Sequence, residues 1–166
     1  MVNKQIYLER VNKMMKLKKD QKGFSLVEMV IVIAIMAVII SILAPQFLRY
    51  IETSRRGEDA DLVGVIHRVL SAAMADTDID DRPVGGYGGA GASKHLSDLE
   101  DGTMPDFAEE VALSLGASDL TTFEANAFES NAYKGAMIQV EVDPTRQHVT
   151  VTVLSNLPDV DDLIVH

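Results

Sequence analysis

The 166-residue chain contains no cysteine. Disulfides, Cys-based zinc sites and thiol nucleophiles are therefore excluded. A folded domain in this chain must hold together by packing, helped at most by a metal or by neighbours. Basic residues are scarce beyond Gly23: eight, against 23 acidic, a net of −15. Nucleic-acid binding needs clustered Lys and Arg for phosphate, so this balance argues against it. A surface of one sign favours solubility and mutual repulsion. No H-E-x-x-H and no G-x-S-x-G occurs, and His67, His95, His148 and His166 fall in different segments. No catalytic constellation is legible, and an enzyme is not the expectation.

What is present is concentrated at the N-terminus. Residues 1–23 carry seven basic and two acidic residues, a net of +5. Phe24 to Ala44 follows with a single ionisable residue, Glu28. As a helix rising about 1.5 Å per residue, this segment covers roughly 30 Å, the thickness of a bilayer's hydrocarbon core. Its Val and Ile content does not oppose a helix there, because lipid forces every backbone group to pair internally. Arg10, Lys13, Lys16, Lys18, Lys19 and Lys22 precede it. That bias keeps the N-terminus in the cytoplasm and sends the body outward. A secretory signal has a shorter apolar core and a small-residue cleavage site after it. Ala44-Pro45-Gln46 is a poor such site. A permanently anchored surface binding domain would explain the span, but neither Gly23 nor Glu28 at these positions. A lone carboxylate in hydrocarbon is costly and marks function by default.

The run Lys22-Gly23-Phe24-Ser25-Leu26-Val27-Glu28 resembles the cleavage and methylation motif of type IV pilins and type II secretion pseudopilins. The resemblance covers about residues 16–75 and is only architectural beyond them. It implies that a prepilin peptidase removes the leader, residues 1–23, by cutting after Gly23. The new Phe24 amine is then methylated. Glu28 falls at the fifth mature position, where the family keeps a glutamate. Pro45 falls at the twenty-second, where many members have a helix-bending proline. The leader is longer than many in the family, and a start at Met14 or Met15 would shorten it. The resemblance further implies an assembly platform protein, an ATPase, membrane lipid before assembly, and copies of the chain itself as partners.

Physical chemistry gives these residues roles. Glycine offers a protease the least steric hindrance in an extended chain. Glu28 has two expected roles. It can pair with the Phe24 amine of a neighbouring subunit, setting the axial register of a filament, since buried pairs specify geometry better than they stabilise. It can instead pair with its own N-terminus or lie at the headgroup level. Pro45 removes a backbone donor and bends the helix.

Beyond the span, the helix is expected to resume and reach about Ala75. The expected divisions are 24–44 for the span, 46–76 for an amphipathic half, and 77–166 for a globular α+β domain outside the membrane. Leu62, Ile66, Val69, Leu70 and Ala73 form one apolar stripe. Glu52, Arg55, Arg56, Glu58, Asp59 and Asp61 flank it as charged neighbours, with His67 on the polar side. Gly57 and Gly64 weaken the helix locally. Asp76-Thr77-Asp78-Ile79-Asp80-Asp81 begins like a calcium loop, but Asp81 stands at the glycine position and Tyr87 at the bidentate glutamate position. A solvated acidic loop is the simpler reading. Gly86 to Gly91 matches G-x-G-x-x-G by letter, without the flanking strand a dinucleotide site requires.

Pro105 to Leu115 reads as a short helix with Phe107, Val111 and Leu115 inward and Gly116 at its end. Residues 118–134 read as helix and then loop. Ile138, Val140 and Val142 alternate with polar residues, as do Val149, Val151 and Val153, with a turn between. This is an antiparallel hairpin with one buried face. The fold class expected is α+β: a pilin-like long helix whose second half packs on a small antiparallel sheet. Asp159, Asp161 and Asp162 are candidate calcium ligands, as in some major pseudopilins, or else a solvated tail. Within the family, a type IV pilin of a surface filament is preferred. A major pseudopilin of a type II secretion system and a competence filament are the alternatives. The absent disulfide fits pseudopilins and also the pilins of Gram-positive bacteria. The retained Glu28 argues against the tip pseudopilin, which lacks that acid.

Overall fold

The computed structural model describes residues 8–11, 23–83, 87, 94–143 and 148–166. Most of the leader, most of the glycine-rich run at 86–91 and the hairpin loop at 144–147 lie outside the described residues. Two compact units divide the chain, Met1–Phe47 and Leu48–His166.

One helix, α1, runs Leu26–Ala75 over 50 residues, with Pro45 inside it. From Leu26 to Leu43 its side chains are exposed on every face. In the second unit it becomes one-sided. Asp59, Val63, Ile66, Leu70 and Ala73 are buried, a row repeating every three or four residues. The expected stripe is thus present, with Val63 central and Leu62 and Val69 partly buried at its margins. The helix ends where the Asp76 amide donates to both Ala72 and Ala73 carbonyls, 3.1 and 3.3 Å. Asp76 then turns the chain by accepting the Asp78 amide at 2.9 Å.

The row packs against a four-stranded antiparallel sheet in the order β1-β2-β3-β4. The strands are Lys94–His95 (β1), Ile138–Asp143 (β2), His148–Val153 (β3) and Leu163–Val165 (β4). Register pairs Ile138 with Val153, Val140 with Val151 and Val142 with Val149. The period-2 pattern therefore puts all these apolar residues on one face, where they are buried. β4 pairs Val151 with Val165 and Val153 with Leu163. Leu163–Val165 is therefore an edge strand, while Asp159, Asp161 and Asp162 before it are exposed. Three residues are too few for a period-2 signal to stand out.

Two short helices cover the rest of the core. α2 is Pro105–Leu115 and buries Phe107, Ala108, Val111 and Ala112. Gly116 closes it at φ 69°, a left-handed conformation that a side chain disfavours. α3 is Leu120–Asn126, preceded by a 3-10 turn at Leu96–Glu100. Each helix N-terminus is capped by a carboxylate. Asp81 accepts the Asp106 and Phe107 amides, 2.8 and 2.9 Å. Glu100 accepts the Leu120 and Thr121 amides, 2.6 and 3.2 Å. Asp119 accepts the Thr122 amide at 2.6 Å, which holds its carboxyl below the usual range. Asp81 belonged to the calcium-like run. Both of its oxygens are instead committed to a helix start 25 and 26 residues on.

Two carboxylates lie deep in the body. Asp59 is 3% exposed and accepts the Glu129 and Ser130 amides, each at 3.1 Å. Glu52, two turns earlier, accepts the Asn131 amide at 2.9 Å and pairs with Arg56 at 3.5 Å. Together they hold the turn that follows α3 onto α1. Glu124 is 7% exposed and bonds the Ser97 and Ile138 amides, tying α3 to the 3-10 turn and to β2. Asp59 thus departs from the expectation of a charged flank. Backbone donors replace the water it loses. His67 departs likewise, since its Nε2 lies 3.1 Å from the Val149 carbonyl and ties α1 to β3.

Gly57 and Gly64 sit within α1, and a Cβ at either would meet nothing within 4 Å. Neither has a steric reason to be glycine inside this chain. Gly57→Ala and Gly64→Ala are each expected to raise stability by about 1 kcal/mol through helix propensity. Thermal unfolding of the full chain in detergent checks this, and a fall in midpoint would show that the helix needs the glycines.

Candidate processing and assembly site

The helix does not begin at Phe24. Gly23, Phe24 and Ser25 precede its first turn in non-helical conformation. Ser25 is the N-cap: its carbonyl accepts the Met29 amide at 3.2 Å. Its own amide donates to the Glu28 carboxylate at 2.7 Å. Ser25 and Glu28 are three apart, the spacing of a capping box, and this bond is its return half. The acid near the helix N-terminus also complements the helix dipole. In the single, unprocessed chain the partner of Glu28 is the Ser25 backbone amide.

The bond between Gly23 and Phe24 therefore lies outside the hydrogen-bonded helix. Both residues are exposed, Phe24 by 79%. A side chain at position 23 would meet nothing within 4 Å. Among the described residues no contact demands glycine there.

From Leu26 onward α1 is long and apolar enough to cross a membrane, and none of its most apolar window is buried. Its polar side chains are satisfied locally. Ser41 Oγ donates to the Val38 carbonyl at 2.7 Å. Thr53 Oγ1 donates to the Arg49 carbonyl at 3.0 Å. Pro45 has no amide, so the Ser41 carbonyl loses its usual i+4 donor. Pro45 and Glu28 lie on the same helix, and no contact joins them.

The calcium candidates gather less than their spacing suggests. Asp162 accepts the Ser155 amide at 2.7 Å through Oδ1. Asp161 offers its backbone carbonyl to the Tyr133 hydroxyl at 2.5 Å. Among the described residues no three acidic, His or Cys side chains form a group that could hold a metal ion. As arranged, Asp159, Asp161 and Asp162 do not make the oxygen-rich cage that calcium takes. Tyr87, from the calcium-like run, is buried; its hydroxyl donates to the His95 carbonyl at 3.0 Å. Burial first, and then the Asp98 charge, push that phenol well above its ordinary pKa. It is a structural group, not a ligand. A groove of about 470 Å³ lies between α2 and the 3-10 turn, lined by Glu100, Pro105, Ala108, Ala112 and Leu113. Glu109 and Ser118 complete its polar lining, and no histidine lines it.

The caps formed by Asp81, Glu100 and Glu124 were not legible in advance, because each reaches 14 or more residues along the chain. Asp119 directly before the Leu120 helix was a readable cap signal.

No curated protein and no solved structure matches the chain. Its residues 18–44 match the prokaryotic N-terminal methylation motif. The chain thus carries a prepilin-type cleavage and methylation motif, consistent with a type IV pilin or pseudopilin, and presents it at the head of a pilin-like α+β fold.

Proposed function

We propose that this chain is a structural filament subunit, a type IV pilin. The precursor inserts with its basic leader in the cytoplasm and its acidic body outside. A prepilin peptidase cuts after Gly23, and the Phe24 amine is methylated. An assembly ATPase and platform protein then move the subunit from lipid into a helical filament of identical copies. The apolar half of α1 exchanges hydrocarbon contacts for contacts with other helices. Glu28 sets register against the Phe24 amine of a neighbour, and Pro45 lets the helix adjust as it packs. The body becomes the outer surface, and no enzymatic role is assigned.

One observation carries this reading. The methylation motif at 18–44 leads into a helix exposed on every face to Leu43 and then, from Asp59, buried on one face. A lone secretory signal would not need the second half. A soluble domain would not expose the first. The same observation suits a major pseudopilin of a type II secretion or competence pseudopilus. The lack of cysteine favours neither.

Intact mass of the protein, with and without a prepilin peptidase, tests the reading. The expected product begins at Phe24 and carries one methyl group. Gly23→Val should leave the full precursor, because a branched side chain cannot follow glycine into a tight cleft. A mature protein still bearing its leader in the presence of the peptidase would instead indicate a permanently anchored surface protein.

A further inference from the structure

The outer face of the sheet, opposite the buried valines, carries two of the four histidines. His148 opens β3, and His166 directly follows β4. The antiparallel register pairs Val151 with Val165 and Thr152 with Ile164, so its next step sets Thr150 opposite His166. Thr150 Oγ1 lies 3.5 Å from His166 Nδ1. His148 shares that face two residues away. The two imidazoles stand 6.1 Å apart between ring centres and 12° from parallel. Both residues are exposed. No other function described above uses them.

We propose that His148 and His166 together bind a divalent transition-metal ion of borderline softness, such as Zn²⁺, Ni²⁺ or Cu²⁺. Neutral imidazole is a preferred ligand for these ions, whereas calcium and magnesium take oxygen. As they stand the rings face each other, whereas imidazole binds a metal in its own plane through a nitrogen lone pair; side-chain rotation must bring one nitrogen of each ring to about 2.0–2.1 Å from a shared ion. Both side chains are exposed, so rotation of each toward the other meets little obstruction. The strands hold the two backbones in register, so little main-chain entropy is lost on binding. Two protein ligands leave the remaining positions to water. The site would clip the short edge strand β4 to β3, which otherwise share few backbone bonds. This site differs from the acidic C-terminal trio in both ligand type and ion preference.

The test uses the full chain without an affinity tag, in detergent micelles, titrated with ZnCl₂ or NiCl₂ alone and followed by calorimetry. One ion per chain is expected, with a raised thermal midpoint. His148→Ala and His166→Ala are each expected to weaken binding at least tenfold while leaving far-UV dichroism unchanged. Excess CaCl₂ should not displace the ion. Lowering the pH should release it, because protons compete for the same nitrogens. Binding unchanged in both histidine variants would overturn the proposal. So would loss of binding in a variant with Asp159, Asp161 and Asp162 all replaced by Asn, because the acids would then be the ligands. No measurable binding to the unaltered chain would overturn it directly.

Discussion

Asp59→Ala is expected to destabilise the body by about 2–4 kcal/mol, the cost of removing a charged acceptor from two backbone amides. The carboxylate is 3% exposed, and both of its oxygens are used, by the Glu129 and Ser130 amides at 3.1 Å. Alanine leaves the buried Ser130 amide without an acceptor, at about 1–3 kcal/mol, and takes the acceptor of the part-buried Glu129 amide as well. It also opens space beside Ser130, which is itself fully buried. Asp59→Asn retains one carbonyl acceptor and should lose less, since one amide keeps a partner. The thermal midpoint of the full chain in detergent measures both. A drop on the order of 10 °C is expected for alanine, with asparagine intermediate. Equal midpoints for the original chain and Asp59→Ala would mean that water replaces the carboxylate, and that the turn after α3 is not held by α1.

Asp59 also shows where the sequence stopped being legible. Its place in the row Asp59, Val63, Ile66, Leu70, Ala73 is visible once the row is drawn. A charge in such a row is nevertheless read outward, because an unpaired buried carboxylate is costly. What reverses that rule is a pair of backbone amides 70 and 71 residues away. No local pattern announces them. Glu124 and Asp81 follow the same logic, one closing onto β2 and the other onto α2. By contrast, the β2–β3 hairpin, α2 and the helical stripe were legible because their signal is local periodicity. Strand β4 fell between these cases. Leu163-Ile164-Val165 is apolar but too short to declare a period, and only β3 beside it makes it a strand.

The N-terminal motif was legible for a different reason. Its residues form a contiguous run that a family model matches over 18–44. Among the described residues Gly23 meets nothing that a Cβ would disturb, and the helix from Leu26 to Leu43 is exposed on all faces. Tertiary contacts do not explain either feature, so the sequence pattern is the larger part of the signal. The structure adds one element that the pattern left open, the bond from the Ser25 amide to Glu28. That bond makes Glu28 a helix cap in the isolated chain. The two roles considered for Glu28 then follow one another. On the proposed reading the carboxylate would cap its own helix first and exchange that bond for a neighbour's Phe24 amine on assembly.

Glu28→Ala separates those roles. Loss of the cap should cost about 0.5–2 kcal/mol at the first turn. The exposed span has ample further stability in a membrane, so insertion should be normal. Assembly should fail more severely. With Ala, the amine of a neighbouring Phe24 would enter an apolar bundle with no counter-charge, at about 3–5 kcal/mol per subunit. That corresponds to at least a hundredfold weaker association per contact, and a filament multiplies it along its length. Filament yield by shearing and sedimentation, against total membrane-inserted protein, measures the difference. Glu28→Gln refines the result, since a glutamine can accept the Ser25 amide and so preserve the cap, but carries no charge for the amine. If Glu28→Gln assembles as well as the original chain, capping is the role that matters. If it fails like Glu28→Ala, the charge acts between subunits, and the bond seen within one chain is the state it leaves on entering the filament.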